Sequence, residues 1–181
     1  MVKRFAIFLF LLGVTGCGAT FSRYPNQIQL AVYTPICLDV LDASSADGAA
    51  VQIYACGAGK MSQEWMINPK QSTAEVQIVN VNSKKCMAVA TGTPGGVDAP
   101  GQSVVQEMCA TDYSAPSQLW KIVPTGDGAP GDQIVSVASG QCLDLPYGAI
   151  ASIELMQQYT CTPDDPAQGW VVNPVQMGNI P

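Results

Sequence analysis

The sequence predicts an all-β domain built from three copies of one unit, and three observations carry that prediction. All three tryptophans, Trp65, Trp120 and Trp170, stand two residues after a glutamine and lie 55 and 50 residues apart. Six of the seven cysteines form a series with intervals of 19 residues from Cys37 to Cys56, 23 from Cys86 to Cys109 and 19 from Cys142 to Cys161. Apolar stretches of four to six residues run between clusters of Gly, Pro, Asp and Ser, without a sustained 3.6-residue period. A period near fifty residues marks an architecture.

The unit can be written from its first cysteine. Cys37-Leu38-Asp39-Val40 leads to Val51-Gln52-Ile53-Tyr54-Ala55-Cys56 and then Gln63-Glu64-Trp65. The second copy runs Cys86-Met87-Ala88-Val89, Val105-Gln106-Glu107-Met108-Cys109 and Gln118-Leu119-Trp120. The third runs Cys142-Leu143-Asp144-Leu145, Met156-Gln157-Gln158-Tyr159-Thr160-Cys161 and Gln168-Gly169-Trp170. Strands are expected at residues 29–33, 51–54, 76–81, 103–108, 133–137 and 168–172, with turns at 42–48, 92–101 and 125–132. Gln and Trp two apart on a strand would share a face, with the indole buried and the amide bonded to neighbouring backbone. One unit cannot bury its own apolar face. Three stacked about an axis can.

The start of the chain reads as an address. Lys3 and Arg4 precede an almost wholly apolar run over residues 5–14, too short for a mature membrane span of ~20 residues. It ends in Val14-Thr15-Gly16-Cys17, which resembles the bacterial lipobox, where lipid is attached to the cysteine. Residues 1–16 are therefore expected to be a lipoprotein signal peptide, Cys17 the lipidation site and 17–26 a tether. The domain should span 27–174, leaving 175–181 as a tail. Three acyl chains anchor a protein stably where one is marginal. Gly18 after the cysteine, where Asp would signal retention, favours the outer membrane and cell surface.

Export brings oxidising conditions, so the six remaining cysteines read as disulfides. Fifteen connectivities exist in principle. The near-equal intervals favour each repeat closing its own loop: Cys37 with Cys56, Cys86 with Cys109 and Cys142 with Cys161. Loops of this size contribute ~3 kcal/mol each on a chain-entropy estimate. No CxxC pair occurs, which argues against a metal cluster.

Composition narrows the function. The 181 residues suit one domain, and 48% hydrophobic with 12% charged residues is too apolar for disorder. A net charge of −6 without a basic stripe gives nucleic acid no footprint. Histidine is absent, which removes Ser–His–Asp and Cys–His catalysis and any His-containing zinc site. There is no P-loop, GxGxxG or GxSxG. Nothing sets two carboxylates across a cleft as a glycosidase needs. No catalysis, cofactor or metal is expected.

Three QxW triplets, each behind a cysteine-bounded hairpin with CLD or its remnant, resemble the ricin B-type lectin domain, a disulfide-stabilised β-trefoil of three pseudo-repeats. The resemblance covers roughly residues 27–174. It implies twelve strands forming a six-stranded barrel capped by a hairpin triplet, with one shallow sugar pocket available per repeat. Such a pocket needs a carboxylate for two adjacent hydroxyls, an aromatic ring for the apolar sugar face and an amide to complete the network.

By resemblance the first pocket has Asp39, Gln52 and Tyr54, with Ser62 in an asparagine slot beside Gln63. The third has Asp144, Gln157 and Tyr159, with Ala167 in that slot beside Gln168. Gln63 and Gln168 are grouped with these pockets, although an architectural role is the one expected of a QxW glutamine. The middle repeat has Ala88 for the carboxylate, Met108 for the ring and only Gln106 in place, so it is expected to be structural. The implied function is that of a surface lipoprotein binding glycans of galactose or N-acetylgalactosamine type, held to a membrane by its lipid. The alternative is a cell-binding or protein-interaction subunit resembling those of cytolethal distending toxin, with toxin subunits as partners.

Overall fold

The computed structural model describes residues 24–33, 35–92, 96–126, 130–148 and 153–175. The predicted signal peptide, Cys17, most of the tether and nearly all of the tail lie outside them. The first repeat supplies β1 (Asn26–Leu30), β2 (Ile36–Val40), β3 (Val51–Ala55) and β4 (Trp65–Pro69). The second supplies β5 (Val76–Asn80), β6 (Cys86–Val89), β7 (Val104–Glu107) and β8 (Trp120–Val123). The third supplies β9 (Gln133–Ser136), β10 (Cys142–Asp144), β11 (Glu154–Leu155), β12 (Gln157–Tyr159) and β13 (Trp170–Pro174). Among the described residues helical structure is confined to short 3-10 turns.

Period-two burial drives these strands. In β1 alternate positions are buried, placing Ile28 and Leu30 in the core while Gln27 and Gln29 face outward. Antiparallel pairing links β1 to β13 and β4, β4 to β5, β5 to β8 and β8 to β9. A bridge between Asp132 and Trp170 joins the last gap, closing a six-stranded barrel. The hairpins β2–β3, β6–β7 and β10–β12 form the cap. Counting β11 and β12 as one strand interrupted at Met156 leaves four strands per repeat. At that break Met156 donates to Val51 O and its own carbonyl accepts from Val104, so one residue ties the third repeat to both others.

The disulfides fall where the spacing put them: Cys37–Cys56, Cys86–Cys109 and Cys142–Cys161, each inside one repeat. The tryptophans are fully buried, and each indole N–H donates to the carbonyl of the residue after its own repeat's first cysteine. Trp65 reaches Leu38 at 3.2 Å, Trp120 reaches Met87 at 2.9 Å and Trp170 reaches Leu143 at 3.1 Å. Each thus locks a barrel strand to its hairpin.

The expectation that Gln and Trp share one strand face is corrected. Gln63 and Gln118 end 3-10 turns (Met61–Gln63 and Pro116–Gln118), and Gln168 ends a turn closed by its N–H on Asp165 O. Each tryptophan then opens its strand, so the strand expected from residue 168 begins at Trp170. The glutamine must sit in the turn, because from there its amide spans the end of the neighbouring hairpin. Gln63 donates to Ala55 O and accepts from Gly57 N–H, Gln118 joins Met108 O to Ala110 N–H, and Gln168 joins Thr160 O to Thr162 N–H.

Candidate functional site

In the first hairpin, Asp39 pairs with Gln52 and Cys37 with Tyr54. Residues two apart on a strand share a face, so this register brings carboxylate, amide and ring together. They line a hollow of about 550 Å³. Asp39 and Gln52 are buried at its floor, and the Gln52 amide donates to Asp39 Oδ2 at 3.0 Å. Among the described residues no donor reaches Asp39 Oδ1 or Gln52 Oε1. Buried acceptors are rarely left so, and hydroxyl donors of a bound ligand would satisfy them.

The wall of this hollow includes residues that the motif does not mark. Lys60 places its ammonium 5.0 Å from the centre of the Tyr54 ring, a contact worth about 0.5–1 kcal/mol when exposed. Asn82 arrives from the second repeat, tied by its amide to Ala43 O at 2.9 Å, and Ile153 arrives from the third. Ser62 lines the hollow. Gln63 does not: it is fully buried behind the hairpin with its amide spent on backbone.

The third hollow, about 730 Å³, repeats the register, with Asp144 opposite Gln157 and Cys142 opposite Tyr159. Here both carboxylate oxygens of Asp144 have partners, Gln157 at 2.7 Å and Gln168 at 3.0 Å. Burial raises the Asp144 carboxyl above its ordinary range, against the opposing pull of those two amides. Gln168 therefore braces backbone and also touches the carboxylate, which Gln63 does not. Ala167 lines the wall without a polar side chain. Tyr147, also lining it, is fully solvent-exposed and adopts φ 57°, where Asp42 of the first repeat adopts 55°. The first and third repeats share this backbone bend. Asp tolerates that left-handed conformation more readily than a bulky aromatic residue does.

The middle repeat requires a correction. Ala88 pairs with Val105, Met87 with Gln106 and Cys86 with Glu107. Glu107 thus occupies the ring slot assigned to Met108, and Val105 the amide slot assigned to Gln106. Gln106 projects from the opposite face, fully buried, where it donates to Ser44 O and Ala46 O and accepts from the Ser83 hydroxyl. Gln158 does the same in the third repeat with Val97 O, Ala99 O and Ser139. Counting back two residues from the second cysteine, instead of forward from the valine, would have found this. Ala88 and Val105 leave the middle repeat without carboxylate or amide at the place where the other two have both.

The model of the ricin-type beta-trefoil lectin domain matches residues 24–170. The chain belongs to that lectin family. Comparison with curated protein sequences finds no match. Among solved structures, the designed threefold-symmetric protein ThreeFoil is 23% identical, with a TM-score of 0.71 over 82% of this chain and 97% of that one. The C-half of the earthworm R-type lectin, in complex with GalNAc, is 12% identical with a TM-score of 0.60 over 83% and 98%. A chain of the cytolethal distending toxin from Actinobacillus actinomycetemcomitans is 18% identical with a TM-score of 0.64 over 88% and 96%. At such identities these likenesses show the β-trefoil fold.

Within this lectin domain, each hollow is built from more than one repeat. Lys60 lies within its own repeat, three residues before the QxW glutamine. Asn82 and Ile153 could not have been found by aligning a repeat with itself, because they cross between repeats. Gly101 of the second repeat lines the third hollow in the same way.

Proposed function

We propose that this protein is a carbohydrate-binding surface lipoprotein whose principal site is the first hollow. One observation carries the reading: Asp39 and Gln52 line an open hollow together with Tyr54, and each keeps a buried acceptor, Asp39 Oδ1 and Gln52 Oε1, without a partner among the described residues. Two adjacent hydroxyls of a galactose- or N-acetylgalactosamine-type sugar would donate to them while its C–H face covers the ring. The third hollow is a secondary site, since Asp144 already has an amide on each oxygen. The earthworm relative's complex with GalNAc supports the sugar class. The domain binds and does not cleave.

The lipobox at Cys17 supports a tether that fixes many copies on one membrane surface, where avidity compensates for weak single sites. The loss of sugar chemistry at Ala88 and Val105 favours a second reading, a cell-binding or interaction subunit within a toxin assembly. The likeness to the cytolethal distending toxin chain, over 88% of this chain and 96% of that one, supports that alternative.

The test is Asp39→Asn in the detergent-extracted full chain. It should weaken binding to galactose-terminated glycans about ten-fold or more while the melting temperature moves little. Undiminished glycan binding refutes the assignment of the first hollow. A stable protein partner retained without glycan affinity supports the second reading.

A further inference from the structure

We infer that the first hollow selects saccharides carrying an anionic group, a carboxylate or a sulfate, and that Lys60 binds that group. The inference rests on the carbohydrate-binding reading above and specifies its ligand class. Lys60 is held at the rim by three features. Its carbonyl accepts the Gln63 N–H at 2.8 Å, which sets the backbone at the root of the side chain. Its stem lies across the bare α-carbon of Gly57, where a Cβ would meet Lys60 Cε, Cδ and Cγ at 2.6, 2.7 and 3.1 Å. Its ammonium rests over Tyr54, 5.0 Å from the ring centre.

That ammonium has no carboxylate partner among the described residues, whereas Lys70 is paired with Glu75 and Lys85 with Asp47. The carboxylates of the same hollow are Asp39 and Asp42. Asp39 is buried at the floor with one oxygen on Gln52, while Lys60 is exposed at the rim. The hollow is therefore graded, with hydroxyl acceptors below and a cation above. A neutral sugar stacking on the ring face under Lys60 must displace the ammonium. A sugar with an anionic substituent at the rim keeps it and gains a charge-assisted hydrogen bond. The third hollow supplies the contrast. Asp144 and Asp165 line it, and none of its lining residues is a lysine or arginine.

The test compares lactose with sialylated and sulfated lactose by calorimetry on the detergent-extracted full chain carrying Tyr159→Ala, which weakens the third hollow. The acidic glycans should bind about ten-fold more tightly than lactose. Lys60→Gln should abolish the preference by weakening both acidic glycans about ten-fold, and Lys60→Arg should retain it. Preference for only one of the two acidic glycans still supports the inference and identifies the group. Equal or tighter binding of lactose overturns it. So does a Lys60→Gln variant that binds lactose more tightly and the acidic glycans unchanged, since Lys60 would then merely cover the ring. Asp39-dependent lactose binding without acidic preference sinks this inference alone. Failure of all three glycans to bind sinks the carbohydrate reading with it.

Discussion

Replacing Gln106 by leucine separates two accounts of the middle repeat. If Gln106 faced outward in a disused sugar slot, the change would touch only solvent. The register instead buries it completely, with its amide donating to Ser44 O at 2.8 Å and Ala46 O at 3.0 Å and its carbonyl accepting from Ser83 at 2.6 Å. Leucine is one bond shorter and has no polar atom, so three hydrogen bonds are lost. At a net ~1 kcal/mol each the loss is about 3 kcal/mol. For a domain of this size that lowers the melting temperature by roughly 6–12 °C. Calorimetry on the disulfide-intact chain reads the shift directly. Gln157→Leu serves as the control, because that amide bonds Asp144 at the third hollow and its loss should weaken glycan binding there. A Gln106→Leu protein melting within about 1 °C of the parent would refute the register argument.

Three other outcomes are expected. Trp120→Phe removes the donor to Met87 O and some buried volume, which should cost about 2–4 kcal/mol in urea unfolding. Glycan binding below the melting temperature should be unchanged, because that tryptophan serves the repeat without a sugar site. Gly169→Ala would place a Cβ 2.2 Å from the Pro130 carbonyl oxygen, and a destabilisation of roughly 1–3 kcal/mol should appear as a lowered urea midpoint. For Asp144, carboxyl NMR should give a midpoint above 3.8, since burial raises it. The sign follows: this group favours folding below 3.8, and that contribution is lost as pH rises through the folded-state value. Glycan affinity of the third hollow should fall as pH is lowered through the same value, and a midpoint below 3.8 contradicts the burial argument.

Much of the fold can be read along the chain because it repeats. Three tryptophans in one slot and three matched cysteine intervals are one-dimensional signals. They set the threefold β architecture and placed each disulfide inside its own repeat, as observed. The motif also brought Asp39 to Gln52 and Tyr54, and Asp144 to Gln157 and Tyr159, because each trio lies on a single hairpin.

Tertiary structure decided the rest. A shift of one residue in register turns a side chain to the opposite face, which is why Gln106 became a buried tie and Val105 took its supposed place. Barrel closure carries Asn82 and Ile153 into the first hollow from other repeats, a proximity no pattern within one repeat encodes. Whether a carboxylate in the motif is free to receive a ligand also depends on neighbours in space. Asp39 retains an unpaired oxygen, whereas the equivalent oxygen of Asp144 is held by Gln168. The sequence by itself thus specified which chemical groups were present and their repeat, and packing in three dimensions determined which of them remained available.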